Sequence, residues 1–414
     1  MKIGIYSTKD LIGGASKAAN RLYTSLNNLE YVTAKMHVAI KSIEDENVIS
    51  VGPWKLFLLK VVSKIEKLIL KICNSSDHIH HSLGIFGVIK SNEINSKNYD
   101  IINIHWINSG FLSIKTISNI NKPVVITLHD SWFFCGCEHH PQSLNDLRYV
   151  NGYSSENKIL KDSLIDINRI IWRLKKKMIH SNINIIAPSS WMFNMARRSS
   201  IFRDNKIIHI PNPLNTDIFK PLDKIKTKID LGLDEHNKIV LFGVFGDPFQ
   251  INNKGIDLLF SSLEKIKNHK FTCFCVGHDN KDYYIGNIKI KFLGNIFSEN
   301  MMAKIYNIAD VVVIPSRLEN LTQMGTESLS CGIPVIAFDT GGNSDIIENQ
   351  KNGILVEPFD IEKFASSIIE VLNWPKIKYK KISDFCREKA VSKWSFKKIS
   401  SDYNNFFKKI VEEN

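Results

Sequence analysis

Asp310-Val-Val-Val-Ile-Pro-Ser-Arg-Leu-Glu319-Asn-Leu-Thr-Gln-Met-Gly-Thr-Glu327-Ser-Leu-Ser-Cys-Gly332-Ile-Pro-Val-Ile-Ala-Phe-Asp339-Thr-Gly-Gly-Asn-Ser-Asp345 is the stretch that decides the fold of this 414-residue chain. It reads as a buried strand, a polar loop, a helix, a second buried strand and a glycine loop opening another helix. Open α/β sheets bind ligands outside the carboxyl ends of their strands, where loops feed helix N-termini. Those termini favour anions through their free N–H groups and dipole. Glu319 and Glu327 stand eight positions apart, one in the loop before the helix and one inside it. Together these features point to an anionic ligand that also carries hydroxyls.

Working outward, the same alternation fills the chain. Strands are expected at 2–6, 34–40, 100–105, 124–129 and 184–187, with helices at 14–29, 54–73, 159–180 and 190–200. Two prolines at Pro211 and Pro213, a polar run and Pro221 break the pattern. A second series then begins, with strands expected at 239–245, 271–276, 290–293, 311–314 and 335–338, and a last helix at 394–411. Short apolar runs separated by helices argue for doubly wound parallel sheets. The chain is also long for one core. The expected division is 1–210, completed by 394–414, and 211–393, two α/β domains facing a central cleft.

A hydrophobic content of 43% and a charged content of 23% are those of a globular chain. The sequence contains no apolar run of the roughly 18 residues a membrane span requires. The opening Met1-Lys-Ile-Gly-Ile-Tyr-Ser reads as a first strand, and seven cysteines without framework spacing fit a reducing compartment, so a cytoplasmic location is expected. Charge is uneven. Residues 1–210 hold 27 Lys/Arg against 16 Asp/Glu, whereas residues 211–414 hold 27 against 26. An anionic partner met by the first half alone is the implication.

Four features carry chemistry. Asp10-Leu-Ile-Gly13-Gly14-Ala-Ser-Lys17 joins the first strand to a helix; its glycines allow close backbone approach to a ligand, although it is not a dinucleotide fingerprint. His129 and His105 close consecutive strands, where an imidazole can meet a sugar hydroxyl or be satisfied by the core. Lys254-Gly255 opens a helix after a long loop and suits a phosphate as a point charge. Residues 320–323, including Asn320, Leu321 and Thr322, are expected at the start of the next helix. Their N–H groups would seat phosphate oxygens, with Glu319 accepting from sugar hydroxyls. Glu327, about two turns along, would accept from both hydroxyls of a ribose. Cys135-Gly-Cys137-Glu-His139-His140 lacks zinc-site spacing, and no Asp-x-Asp pair closes a strand, so no metal or cofactor is expected.

With these residues in place, the chain resembles the retaining glycosyltransferases of family 4, which have the GT-B fold. The resemblance rests on Glu319-x₇-Glu327 and its surroundings, Asn352-Gly353-Ile-Leu-Val, Ile210-Pro-Asn-Pro-Leu-Asn-Thr-Asp-Ile-Phe219-Lys-Pro, Thr127-Leu-His129-Asp-Ser-Trp132 and Gly13-Gly14-Ala15. It implies a nucleotide-sugar donor on the second domain and, on the first, a glycan acceptor of surface-polysaccharide synthesis; a polyprenyl-diphosphate-linked acceptor would also account for the basic first half. The resemblance also implies His129, Glu319 and Lys254 as catalytic residues, Gly14, Asn320, Leu321, Thr322 and Glu327 as donor contacts, and a last helix crossing back to the first domain. One departure stands out. The arginine that the family carries before the lysine has no counterpart among residues 246–253.

Lys60, Lys64, Lys67 and Lys71 form one stripe on the expected helix at 54–73, with Trp54, Phe57, Val61, Leu68 and Ile72 on other faces. An anionic membrane surface suits such a helix, and so does ordinary packing. A nucleotide-sugar epimerase, or a carbohydrate-binding protein without catalysis, remains an alternative to the transferase. Nucleic-acid binding would account for the charge but not for Glu319, Glu327 and Lys254 together.

Overall fold

The computed structural model describes residues 1–73, 80–143, 145–159, 165–244 and 253–413. The chain forms two compact units, 1–213 with 399–414 and 214–398. The first contains β1 (Lys2–Lys9), β2 (Thr33–Ile40), β3 (Val48–Ser50), β4 (Ile101–Ile104), β5 (Val124–Thr127), β6 (Asn184–Ala187) and β7 (Ile207–His209). They lie in the order β3-β2-β1-β4-β5-β6-β7, every pairing parallel. Apolar side chains cover both faces of this sheet, which is why its inner strands read as continuous hydrophobic runs. Ile399, Tyr403, Phe406, Phe407 and Ile410 of the last helix, Phe396–Glu412, complete one of these faces.

The second unit contains β8 (Ile239–Gly243), β9 (Thr272–Val276), β10 (Tyr283–Ile285), β11 (Ile288–Phe292), β12 (Val311–Ile314), β13 (Val335–Phe338) and β14 (Gly353–Val356). The order is β10-β11-β9-β8-β12-β13-β14, parallel except for the β10–β11 hairpin at one edge. Two parallel-dominated, doubly wound Rossmann-like sheets are therefore present, as the alternating pattern predicts.

Several local boundaries differ from the sequence reading. β3, β7, β10 and β14 are short or lie at edges and give too little periodicity to stand out. The last helix, expected at 394–411, is Phe396–Glu412; before it stands Lys376–Trp394, which the sequence reading did not give, and the two are joined by extended backbone at Ser395, which bridges to Leu214. The helix expected at 159–180 is Ile167–Met178; residues 160–164 lie outside the described residues. No helix among the described residues is long and apolar enough to cross a membrane.

Candidate functional site

In the second unit, β8 leads to β9 on one side while β12 lies on the other. The strand order thus reverses between β8 and β12, and the loops leaving their carboxyl ends diverge there, the usual ligand position in open sheets. Lys254 follows β8 and Glu319 follows β12. Residues 245–252 of the first loop, with Gly246, Asp247 and Gln250, lie outside the described residues. From Asn253 onward the two loops are laced together. Arg317 N–H donates to Asn253 O at 2.8 Å, and Asn253 Nδ2 donates to Leu318 O at 2.8 Å.

Lys254 Nζ donates to Glu319 Oε1 at 2.6 Å, and Ser316 Oγ donates to the same oxygen at 2.8 Å. The two residues given separate roles by the sequence are therefore an ion pair. Lys254 is partly exposed and Glu319 more deeply set. Gly255 lies at φ +64°, and a Cβ there would fall 2.0 Å from the Pro315 carbonyl oxygen, so this approach of helix to loop requires glycine. Gly341 supports Glu319 from the other side. Its φ is +59°, a Cβ would lie 1.9 Å from Glu319 O, and Gly342 N–H donates to that oxygen at 2.8 Å.

Beyond Glu319 the expected helix start moves. Asn320, Leu321 and Thr322 stay in the loop, with Thr322 as N-cap, and the helix is Gln323–Ser330. Thr322 is extended, at φ −69° and ψ 126°, which delays the helix and turns the N–H groups of its first turn toward the loop. Glu327 is consequently one turn along, not two. Its side chain is buried, and the Tyr306 hydroxyl donates to Oε2 at 2.7 Å. Leu321 belongs to the hydrophobic core, leaving its backbone as the part that can meet a ligand. Arg317, beside Glu319, forks onto Asp257 with contacts of 2.8 and 2.5 Å. That guanidinium is engaged with a carboxylate, as the Lys254 ammonium is.

In the first unit the reversal falls between β1 and β4. Gly14 opens the helix Gly14–Asn27 after β1, and a Cβ on it would meet no described atom within 4 Å. His129 lies two residues past β5 and His105 one past β4, both at carboxyl ends but in the loops rather than in the strands. Their rings stack, and His105 Nδ1 lies 2.8 Å from His129 Nε2.

A proton inventory orients this pair. Asn103 Nδ2 donates to Val125 O at 3.1 Å and Thr127 Oγ1 at 3.0 Å, so its Oδ1 accepts from His105 Nε2 at 2.8 Å. Burial holds the His105 imidazole well below its ordinary pKa, and that of His129 at about 4, so both rings are neutral at pH 7. His105 Nδ1 then bears no proton and accepts from His129 Nε2–H. The lone pair of the His129 ring is then on Nδ1.

The neighbouring segment considered for a metal is occupied otherwise. His139 contacts Asp130 Oδ2 at 2.6 Å through Nδ1 and Ser82 Oγ at 2.9 Å through Nε2. Cys135 and Cys137 are buried, which pushes both thiols up in pKa.

Two family models match this chain: Glycosyltransferase Family 4 over residues 68–218 and Glycosyl transferases group 1 over residues 236–373. The chain belongs to the family 4, group 1 glycosyltransferases. The uncharacterized glycosyltransferase MJ1607 of Methanocaldococcus jannaschii is 25% identical over 355 residues, which span 81% of this chain and 80% of that one. An uncharacterized 41.2 kDa protein in the cps region of Klebsiella pneumoniae is 24% identical over 74% of this chain and 84% of its own. Sucrose-phosphate synthase from Thermosynechococcus elongatus shares the fold, with a TM-score of 0.71 at 18% identity and full coverage of both chains. Anabaena Alr3699/HepE, solved in complex with UDP and glucose, superposes with a TM-score of 0.64 at 16% identity over 99% of each chain. The fold is that of the GT-B glycosyltransferases.

Within this glycosyltransferase, sequence reasoning missed Ser316, Tyr306 and Asn103. Ser316 stands three residues before Glu319, a spacing that could have drawn notice. Tyr306 and Asn103 reach their partners across strand and helix packing, and no local pattern announces them.

Proposed function

We propose that this glycosyltransferase moves a sugar, with retention of anomeric configuration and without a metal ion, from a nucleotide-diphosphate sugar to a glycan acceptor carried on a lipid diphosphate. The observation that carries the donor half is the Lys254–Glu319 pair of 2.6 Å, beside the first turn of Gln323–Ser330 and held by loops leaving adjacent strands. A diphosphate brings more negative charge than one carboxylate. It would draw Lys254 away from Glu319 and meet the N–H groups of that first turn. The exchange frees Glu319 Oε1 to accept from hydroxyls of the transferred sugar, so one movement readies both contacts.

Asn320, Leu321 and Thr322 are assigned to the phosphates through their backbone, and Glu327, oriented by Tyr306, to the ribose. In the first unit we assign His129 to a sugar hydroxyl, which its Nδ1 accepts, and Gly14 to phosphate. Neutral His129 recognises a hydroxyl without adding a cation. Lys254 and the helix N–H groups stabilise charge developing on the leaving nucleoside diphosphate, commonly the largest catalytic contribution. A leaving phosphate oxygen then takes the acceptor's proton, so no protein nucleophile is required. HepE has also been solved in complex with UDP-glucose, which supports this choice of donor class, and the cps-region relative supports a surface-polysaccharide acceptor.

A thermal-shift comparison of nucleoside diphosphates and their sugars identifies the donor, since a ligand that binds only the folded chain raises its stability by mass action. With that donor, Lys254→Ala and Glu327→Ala are each expected to lower turnover by on the order of 10²-fold. Near wild-type turnover in both would overturn the site assignment.

A further inference from the structure

The helix Pro53–Cys73 presents a surface that the sugar-transfer reaction does not use. Leu59, Glu66 and Cys73, seven residues apart, are its buried face. Glu66, its one acidic residue, is spent there; its carboxylate accepts from the backbone N–H of Leu83, and from that of Gly84 at 3.3 Å. The outward side carries Trp54, Phe57, Val61, Ile65, Leu68 and Ile72, spaced three or four residues apart and therefore on one stripe. They are between 37% and 69% exposed, and the Trp54 and Phe57 rings stack. The sequence reading scattered most of these residues over other faces and passed over Ile65; in the structure the six form one face.

Each of the four exposed lysines, Lys60, Lys64, Lys67 and Lys71, immediately precedes a member of the stripe. At 3.6 residues per turn they lie about 100° round the helix from it. The outward surface is thus an apolar strip flanked by a row of positive charge, with no exposed acidic residue on the helix to neutralise it.

We propose that this helix lies on an anionic lipid bilayer, its apolar stripe among the acyl chains and its lysine row along the headgroups. Six large apolar side chains in one row match a hydrocarbon boundary, and the lysines match anionic headgroups. A second copy of the helix fits the charge poorly. Pairing two such stripes brings two rows of lysines together with no exposed carboxylate on either helix to offset them. A nucleic acid would use the lysines but leave the stripe in water. The inference stands apart from the donor-site assignment, because vesicle binding and sugar transfer are measured separately.

The test is flotation of the full chain with vesicles of phosphatidylcholine alone or enriched in phosphatidylglycerol. The wild type is expected to float with the anionic vesicles and to be released by salt. Changing the four lysines to Gln should weaken binding about fivefold per lysine, the equivalent of about 1 kcal/mol each. Trp54→Ser with Phe57→Ser and Leu68→Ser should weaken it by at least about tenfold. A labelled variant gives a reading that needs no loss of binding. The seven native cysteines are buried, so Leu68→Cys bearing an environment-sensitive dye should shift to the blue with anionic vesicles only. Failure of the wild type to float, or floating by the triple variant equal to wild type, overturns the proposal. So does a wild-type dimer in light scattering that the triple variant makes monomeric, which would assign the stripe to a second copy.

Discussion

Gly341→Ala tests whether the loop after β13 holds Glu319 in place. The new Cβ would stand 1.9 Å from the Glu319 carbonyl oxygen, where ordinary contact begins near 3.4 Å, so one of the two must retreat by about 1.5 Å. The φ of +59° adds the left-handed penalty for a side chain, roughly 1–2 kcal/mol. The 2.8 Å bond from Gly342 N–H is strained or lost with the movement, a further cost of about 1 kcal/mol. The second unit should therefore lose roughly 2–3 kcal/mol, or about 5–10 °C in Tm for a unit of this size. Moving the Glu319 backbone by about 1 Å also misplaces the carboxylate against Lys254, and displacements of that size can cost about 10²-fold in rate. Thermal unfolding and donor turnover measure the two effects.

Gly286→Ala is the control. Gly286 has φ +56° but open space around the position of a Cβ, so it isolates the conformational penalty without the clash. It should lower stability by roughly 1–2 kcal/mol and leave turnover unchanged. If Gly341→Ala matches it in both measurements, the reasoning about Glu319 fails.

Two further predictions concern histidines. Asn103→Asp places a carboxylate 2.8 Å from His105 Nε2, favours the imidazolium, and so makes His105 Nδ1 donate to His129, whose proton moves to Nδ1. Nitrogen chemical shifts of His129 should report the exchanged tautomer, with donor turnover falling about tenfold or more through the lost acceptor; an unchanged tautomer refutes the proton inventory. His37, stacked on Tyr6 and 2.7 Å from the Tyr99 hydroxyl, is held at a pKa of about 4, chiefly by burial. Because the folded chain binds this proton less readily than the unfolded one, its contribution is fully present above pH 6.5 and is lost as pH falls toward 4, up to about 3 kcal/mol. Denaturant titrations should show a shallower acid loss in His37→Gln; equal slopes would remove His37 as a cause.

The alternation of apolar runs with helices, the glycine loops and the Glu319-x₇-Glu327 spacing were legible because each depends on residues close together in the chain. They were enough to establish two doubly wound sheets and to draw attention to Glu319, Glu327, Lys254 and His129. Where the helix starts was less legible, since the capping geometry at Thr322 and the packing beneath it keep Asn320 and Leu321 in the loop and bring Glu327 within one turn of the N-terminus.

The rest belongs to tertiary structure. Strand order alone places the loops after β8 and β12 side by side, and only then can Lys254 reach Glu319 from 65 positions away. Tyr306 finds Glu327, Arg317 is taken by Asp257, and Asn103 sets the proton on His129 through side chains aligned by packing. The exposed stripe on Pro53–Cys73 was decided in the same way. Helical periodicity sorts its residues into faces, but which face the core takes is settled by Leu59, Glu66 and Cys73 finding partners there. Hydrophobic pattern is a local property of the chain, whereas charge pairing and proton position depend on distances that exist only after the sheet has formed.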